Sequence, residues 1–501
     1  MTRTWLLALA LSSAAPLWAD TVVLTGARIL DPGVYDGEAA LLIEDGKVKA
    51  VLEGKEPKLP YDARVIDVRG MTLFPGMVLG RTSSGLDRAN ESLPTTPFLD
   101  AFDAIDPSSV RFESFLREGV TTVNVMQGND TAIGGMGRAV QPLGLTVEEM
   151  TVRAGTGLIL SVSDRPGWDR VRQRAQLRES FAQLQDELDK AAEKRYAREQ
   201  QKDGKQVEVP PAKARELGRA LLRPEDVDEK QRNLYLLVQG QLDAFVYCER
   251  AQDVPFALAM ADELGFLPRT TLVLGGDCYK ALELIKTVGR PVLLMPDLLY
   301  RETDPLTGEE HETFVPRVYA DADVPFGLMV DRDSSFGERY LWYQAARCVR
   351  EGVDREQALK AITHVPAQIL GLEGQVGTLQ PGAAANVLVL SGDPLDAGTH
   401  VEQVLLGGEV VYERSKDVRL ERLLSGSEGS GPMSEHKPHE GEEELQPNDA
   451  DKDPGDPNQQ TPGEQERGAD EKRPGPEQPQ DGPHDDKAPG EHEHEQHGGE
   501  K

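Results

Sequence analysis

Histidine is scarce in this chain outside its last 71 residues. The sequence has nine histidines among 501 residues. Three of them precede residue 431, at His311, His364 and His400, and the other six are His436, His439, His484, His492, His494 and His497. His311 falls in a polar loop, His364 in a predicted helix and His400 near a predicted strand. Because a catalytic zinc site takes three protein ligands that lie together in the fold, a site made of three or four histidines is excluded from the folded part.

Cysteine is nearly absent as well. The three cysteines, Cys248, Cys278 and Cys348, are odd in number and widely spaced, which excludes a disulfide framework. Buried free thiols are the interpretation that this pattern favours. Cys248 and Cys278 fall at the ends of neighbouring predicted strands, and whether they pair in an exported protein stays open.

A long apolar run is also missing after the first residues. The opening MTRTWLLALALSSAAPLWAD has a basic Arg3, a short apolar run and small residues before Ala19, which is typical of a secretory signal peptide over residues 1–19. No later segment reaches the roughly 18 apolar residues of a membrane span. We therefore expect an exported protein, periplasmic or extracellular. A formal net charge of −31 argues against nucleic acid and anionic membranes as partners, because both would repel it.

Aromatic residues vanish from the last part of the chain. Residues 431–501 contain no Phe, Trp or Tyr, and they carry 21 acidic and 7 basic residues. Such a segment cannot bury enough apolar surface to offset its ordering entropy, so residues 423–501 are predicted to be a disordered acidic tail rich in Pro, Gly and His. The final EHEHEQH could bind metal loosely, although a solvated acidic tail is the interpretation that we favour.

The remaining sequence predicts two kinds of folded unit. Short strand patterns fill residues 20–74 and 375–422, and because neither flank can close a core alone, they are expected to pair as one composite β-sandwich. Between them, residues 75–374 alternate strand and helix patterns, which predicts an α/β fold with a TIM-like (β/α)8 barrel. A helical insertion at about 168–240 has an amphipathic stripe. The stripe comprises Leu177, Phe181, Leu184, Leu188 and Ala191.

Four stretches resemble one family. LFPGMVLGRTSSG (73–85) resembles its first-strand motif, Pro-Gly-Leu-Ile-Asp-x-His-x-His, and REGVTTVNVM resembles its next strand. ALKAITHVPAQILGLEGQVGTLQPGAAANVLVLSGDPL resembles its long C-terminal signature, and GGMGRAVQPLGLTVEEM resembles a segment of exported members. On these motifs the chain is similar to the amidohydrolase superfamily, nearest to the imidazolonepropionase-like branch.

The resemblance implies a hydrolase of non-peptide carbon–nitrogen bonds that uses zinc or another divalent metal to activate water. When the family's ligand positions are carried over one at a time, most of them fall on other residue types in this sequence. The first-strand histidines fall on Arg81 and Ser83, a bridging lysine falls near Gln141, and further histidines fall on Tyr247 or Glu249 and on Leu274 or Gly275. Only Asp331, a vestigial catalytic aspartate, matches. We expect no resident metal cofactor, and we expect the Arg81 guanidinium to pair with Asp331 in the former metal pocket.

No other catalytic motif that we considered replaces the missing metal-ligand pattern. The sequence contains no Gly-x-Ser-x-Gly elbow and no Gly-x-x-x-x-Gly-Lys phosphate loop, and the glycine-rich GNDTAIGGMG is interpreted as a loop. Three functions stay open: an inactive pseudoenzyme that binds an unknown small molecule or protein, an active hydrolase with oxygen ligands such as Glu249, Asp277 and Asp331, and a structural or interaction protein.

Overall fold

The computed structural model describes residues 21–54, 58–88, 91–202, 209–331 and 339–425. The predicted signal peptide and residues 426–501 of the predicted tail lie outside these ranges. The tail prediction began too early, because a helix that Asp417 caps at its first turn continues to Leu424. Within the described residues, no helix combines the length and apolarity needed to cross a bilayer.

Eighteen strands are found in the described residues. In chain order they are β1 (Thr21–Asp31), β2 (Tyr35–Glu44), β3 (Lys47–Glu53), β4 (Arg64–Asp67), β5 (Thr72–Pro75), β6 (Met77–Thr82), β7 (Val120–Val125), β8 (Ile133–Val140), β9 (Thr151–Ser161), β10 (Ala244–Cys248), β11 (Thr270–Leu274), β12 (Val292–Leu294), β13 (Leu299–Thr303), β14 (Glu310–Phe314), β15 (Phe326–Leu328), β16 (Val387–Leu390), β17 (Val401–Leu406) and β18 (Glu409–Glu413).

Twelve α-helices accompany them in the same part of the chain. They are α1 (Val110–Arg117), α2 (Val147–Met150), α3 (Arg170–Lys202), α4 (Pro211–Arg219), α5 (Glu229–Val238), α6 (Val254–Glu263), α7 (Leu282–Lys286), α8 (Val315–Asp321), α9 (Leu341–Arg350), α10 (Arg355–Lys360), α11 (His364–Ile369) and α12 (Val418–Leu424).

The two sequence flanks share one sheet. Its strand order is β18-β17-β16-β5-β1-β2-β3, with β4 paired to β1, so β16 from the C-terminal flank lies directly beside β5 from the N-terminal flank. Asp45 and Gly46, both with positive φ, turn the β2–β3 hairpin, as the sequence predicts for an Asp-Gly turn. One apolar cluster, which includes Ile29, Leu41 and Val389, fills this sheet's core. That the flanks form a separate composite sandwich, with residues 75–374 as the barrel, stays a prediction.

The second eight-stranded sheet forms the barrel, in the order β15-β12-β11-β10-β9-β8-β7-β6. Its two edges come together through a short bridge, where the Leu328 amide donates to the Ala361 carbonyl and the Val78 amide donates to the Ile362 carbonyl. The sheet is therefore nearly closed, and the C-terminal ends of its parallel strands meet at one mouth.

One strand of the barrel departs from the regular (β/α)8 prediction. β8 runs antiparallel to both β7 and β9, so the sheet has seven parallel strands and one reversed strand. Sequence analysis predicts a loop for this stretch, because glycine has a low strand propensity. Here the glycines permit close approach: a Cβ at Gly135 would lie 2.5 Å from the Leu99 carbonyl oxygen.

The helical insertion packs as a hairpin. Its apolar stripe was predicted at Leu177, Phe181, Leu184, Leu188 and Ala191, and the first four are buried. The fifth position is shifted by one, because Ala192 is fully buried while Ala191 is only partly so. Helix α4 lies close to α3 at Gly218, where an added Cβ would lie 2.0 Å from the Ala192 carbonyl oxygen.

Candidate functional site

Arg81 occupies the end of the first barrel strand. It lies on β6 and is 2% exposed, which makes it one of the largest fully buried side chains among the described residues. Its Nη2 donates to the Gln127 carbonyl oxygen at 3.0 Å. Its Nε and Nη1 are buried, and no described residue accepts a hydrogen bond from them. Such groups are rare in folded proteins, since each buried unsatisfied donor costs about 1–3 kcal/mol.

Acidic and phenolic groups from other strand ends surround this guanidinium. Burial lowers the pKa of Arg81, while the charges of Asp331, Tyr247 and Glu91 raise it. Ser83, the second position of the motif, is buried and its Oγ donates to Asp331 Oδ1 at 3.4 Å. The structure therefore brings Arg81, Ser83 and Asp331 together. The observed geometry differs from the predicted hydrogen-bonded pair, because Arg81 donates to the Gln127 carbonyl while Asp331 acts on it through charge.

Tyr247 and Gly275 lie where the neighbouring strands end. Tyr247 is on β10, and burial raises the pKa of its phenol, with a further contribution from the charge of Glu249. Gly275 follows β11, and its amide donates to the Cys248 carbonyl. Leu274 is buried in the core. Leu274 and Gly275 have no ligating side-chain atom, and the raised pKa of Tyr247 keeps its phenol protonated.

Gln141 lies at the wrong end of the barrel for the predicted role. Its amide donates to the Met150 carbonyl, next to the beginning of β9, whereas the family's ligands stand where parallel strands end. The physical reason is the reversed direction of β8, which carries its C-terminal residues away from the mouth. Gln141 therefore lies away from the strand ends that hold Arg81 and Ser83.

Of the carboxylates proposed as oxygen ligands, Asp277 is engaged by other groups and Glu249 is exposed. Asp277 Oδ1 accepts from the Ala251 amide at 2.8 Å, and its Oδ2 lies 4.0 Å from Lys280 Nζ. Glu249 is exposed, and its backbone amide donates to Ser163 Oγ at 2.7 Å. Across the described ranges, no group of three or more His, Cys, Asp or Glu residues is arranged to hold a metal ion. The residues present at the mouth do not fit the metal that the family pattern implies.

The three histidines that precede the tail lie on α11, on the β13–β14 hairpin and beside β17. His364 begins α11, and its Nε2 lies 2.9 Å from Oδ1 of the buried Asp31. His311 is exposed on the β13–β14 hairpin opposite Glu302, and His400 is exposed beside β17. The cysteines are free and buried, and Cys278 Sγ donates to the Cys248 carbonyl oxygen at 3.1 Å.

Several residues at the mouth were missed by sequence reasoning. Glu91 Oε1 accepts from the Asp130 amide at 2.9 Å, and burial raises the pKa of Glu91. Arg165 follows β9, stacks 5.0 Å from the Trp168 ring centroid and lowers the pKa of Asp130, which desolvation raises. Single charged residues in polar loops carry no periodic signal, so only the fold could bring them to Arg81.

A model of the amidohydrolase family matches residues 332–412. Among solved structures, an amidohydrolase from Thermotoga maritima aligns at a TM-score of 0.64 and 25% identity, covering 78% of this chain and 100% of that one. These two matches support the amidohydrolase superfamily for this chain. The α/β barrel that the sequence predicted is confirmed at this level.

Two curated amidohydrolases match over short segments. A dihydroorotase from Syntrophus aciditrophicus is 41% identical over 58 residues, which is 11% of this chain and 13% of that protein. Adenine deaminase 1 from Carboxydothermus hydrogenoformans is 37% identical over 90 residues, which is 18% of this chain and 14% of that protein. The matched regions of this chain therefore span only a small part of the length of these two relatives.

Proposed function

We propose that this amidohydrolase-family protein is a pseudoenzyme whose barrel mouth binds a ligand in place of a catalytic metal. The observation that carries the proposal is the buried Arg81 guanidinium on β6, at the position where the family motif has a metal-binding histidine. A guanidinium is a permanent cation without a lone pair, so it cannot ligate a metal and it repels one. Ser83, at the second histidine position, donates to Asp331 and leaves no imidazole in its place.

The rest of the mouth supports the same proposal. In related chemistry an aspartate takes the proton from metal-bound water. Here Asp331 accepts from Ser83, and its charge acts on Arg81, Glu91 and Asp130. Its negative charge thus helps to balance the Arg81 cation.

The test is metal content together with hydrolysis. Full-length protein purified in zinc-containing medium is compared with a variant in which the six histidines between residues 431 and 501 are alanine, because the tail could bind zinc by itself. We expect the six-histidine variant to hold well under one metal per chain and to hydrolyse amide and lactam substrates no faster than background. Near-stoichiometric metal that is lost on Asp331→Ala would reject the proposal and support an oxygen-ligand hydrolase.

We also propose that the protein is exported and that its partners are small molecules or proteins. The basic and apolar opening of the sequence supports export. Amino-terminal sequencing of protein from the cell envelope tests it: mature chains should begin near Asp20, and chains that retain Met1 in the cytoplasmic fraction would contradict it.

A further inference from the structure

An ion-pair cluster lies at the end of the barrel where the parallel strands begin, opposite Arg81. Asp243 directly precedes β10, Arg269 directly precedes β11, and Arg290 lies two residues before β12. Arg153 is the third residue of β9. Because β9, β10, β11 and β12 are neighbours in the sheet and run parallel, their first residues meet at one place. The fold therefore gathers one carboxylate and three guanidinium groups at this end.

The three arginines share this single carboxylate. Arg269 Nη1 and Arg290 Nη2 lie 3.7 and 3.6 Å from Asp243 Oδ1, and Arg153 Nη2 lies 3.7 Å from Asp243 Oδ2. No other carboxylate of the described ranges lies within 4.0 Å of these guanidinium nitrogens. Two of the three positive charges therefore have no counter-charge close by. An anion is the ligand that would balance them.

The carboxylate does not satisfy the guanidinium N–H groups, because distances of 3.6–3.7 Å are longer than the roughly 2.7–3.2 Å of an N–H···O hydrogen bond. Arg290 Nη1 donates to the Pro268 carbonyl at 2.8 Å, and Arg153 Nη1 donates to the Leu370 carbonyl, so a backbone acceptor orients each group. Arg290 Nε is buried, and no described residue accepts from it. The Arg269 side chain is 46% exposed and opens the cluster to solvent. Oriented donors thus await oxygen acceptors.

Asp243 is held in place among the arginines. Its side chain is 10% exposed, and its carbonyl oxygen accepts from the Leu158 amide at 2.9 Å. Gly157 permits this approach, since a Cβ there would lie 2.6 Å from the same oxygen. A carboxylate accepts hydrogen bonds and donates none. It repels a fully deprotonated anion, whereas an anion that retains a proton can donate a hydrogen bond to it. Asp243 therefore favours a protonated oxyanion.

We propose that this cluster binds hydrogen phosphate, with Arg153, Arg269 and Arg290 donating to its oxygens and its P–OH group donating to Asp243. At neutral pH inorganic phosphate keeps at least one proton and sulfate keeps none, so the carboxylate distinguishes two anions of the same shape. The monoanion of a phosphate monoester offers the same contacts and is one arm of the test. The inference goes beyond the proposed function, because the cluster lies at the other end of the barrel from Arg81.

The probes are inorganic phosphate, sulfate and methyl phosphate, compared at constant ionic strength and neutral pH. Isothermal titration calorimetry and thermal unfolding are measured on the full-length protein. Since phosphate and sulfate both stabilise folded proteins by exclusion from their surfaces, the signal is saturable binding rather than the melting temperature alone. We expect phosphate to bind and sulfate to bind at least about tenfold more weakly, because sulfate has no donor for the carboxylate. Tighter binding of methyl phosphate than of phosphate assigns the site to a phosphorylated molecule, and weaker binding assigns it to free phosphate.

Arg269→Gln is the first variant, because this arginine is the most exposed of the three and its loss disturbs the fold least. Phosphate affinity should fall at least about tenfold, since a charge-assisted donor group is lost. Arg64→Gln is the matched control. The Arg64 side chain is 47% exposed and lies 3.4 Å from Glu409 on the other sheet, so this variant should bind phosphate as the native protein does.

Asp243→Asn tests the selectivity. Asparagine keeps the size of the side chain and supplies amide N–H donors, so the folded variant should bind sulfate as tightly as phosphate. Circular dichroism checks folding, and an ion-pair cluster with a structural role alone would show no such change of selectivity. Equal binding of phosphate and sulfate by the native protein, or unchanged phosphate binding by folded Arg269→Gln protein, overturns the phosphate site. Neither result affects the pseudoenzyme proposal, which the metal content tests.

Discussion

Arg117 and Asp417 form a bidentate ion pair across 300 residues of sequence. Arg117 Nε donates to Asp417 Oδ2 at 2.6 Å, and its Nη2 donates to Oδ1 at 3.3 Å. The Asp417 side chain is 3% exposed. It also accepts from Tyr412 and from the first amides of α12, so one carboxylate ties α1 of the barrel to the last helix.

The first prediction concerns this pair. Asp417→Asn should destabilise the protein by about 2 kcal/mol at neutral pH, because it removes a buried charged hydrogen bond, whereas asparagine still caps a helix as well as aspartate does. The Arg117 hydrogen bond lowers the pKa of Asp417 to about 2. Its stabilisation is therefore present above the unfolded pKa near 4 and is lost as pH falls through 2. Urea unfolding from pH 7 to pH 3 should show the difference between native and variant protein shrinking below pH 4.

Asp36→Asn is the matched control. Asp36 also accepts two hydrogen bonds from one arginine, Arg28, but the two side chains are 52% and 44% exposed. Exposed pairs contribute about 0–1 kcal/mol. A larger loss in Asp36→Asn than in Asp417→Asn would contradict the assignment of the effect to burial.

A second prediction concerns Asp31, which joins β1 to the segment that follows the barrel. Its buried carboxylate accepts from Thr378 Oγ1 at 2.7 Å and from the Leu379 amide at 2.7 Å, in addition to the His364 contact. Asp31→Ala leaves these donors without an acceptor and should destabilise by about 2–4 kcal/mol. His364→Ala should cost less, and the exposed His400→Ala should have no effect within about 0.5 kcal/mol. Chemical denaturation of the three variants tests this order.

The third prediction is a pH dependence at Glu118, the residue after α1. Burial raises the pKa of Glu118 to about 7, and the charges of Arg111 and Arg339 oppose the shift. A carboxyl with a raised folded pKa gives stability that is complete below its unfolded pKa and is lost as pH rises through the folded value. Native protein should therefore lose stability relative to Glu118→Gln by about 1 kcal/mol per pH unit between pH 5 and 7.

Glu113→Gln, an exposed site on the same helix, serves as the control for Glu118. Its difference from the native protein should stay flat over the same pH range. Parallel behaviour of the two variants would contradict a buried titration at Glu118.

The fourth prediction tests the contact within the helical insertion. Gly218→Ala places a methyl group against the Ala192 backbone, which cannot move as a flexible side chain can, so α4 must shift from α3. We expect a loss of about 1–3 kcal/mol. Gly398→Ala is the control, because the nearest atom is 3.5 Å from its added Cβ. Equal melting temperatures for the two variants would show that the helices can separate without cost.

The strands of the fold were predictable because their apolar runs are long and bounded by turns. GVTTVNVM, within the stretch that resembles the family's second strand motif, became β7. β8 was missed because its packing needs glycines at Gly134, Gly135 and Gly137, and glycine in isolation predicts a loop. The location of Gln141 could not be predicted for the same reason, because it depends on the direction of β8.

The site was predictable only where a motif fixes the position along a strand. The motif placed Arg81, Ser83 and Asp331 at one end of the sheet, and the structure brings them together. It could not reveal that Arg81 donates to a backbone carbonyl, or that Glu91 and Arg165 join it from loops. Those contacts depend on loop paths that tertiary packing decides, and local sequence preferences do not encode them.

The pairing of strands that are far apart in sequence also sets the order in which this molecule can fold. One edge of β5 pairs with β1, but the other edge finds its partner in β16, more than three hundred residues later, and the seam of the barrel needs residues 361 and 362 beside β6. Sheets made of such distant pairs fold slowly, because a long loop must close before any contact rewards it. An emerging chain therefore keeps one edge of β5 and one edge of β6 unpaired until almost all of residues 21–413 have been made, and during synthesis it depends on protection from aggregation.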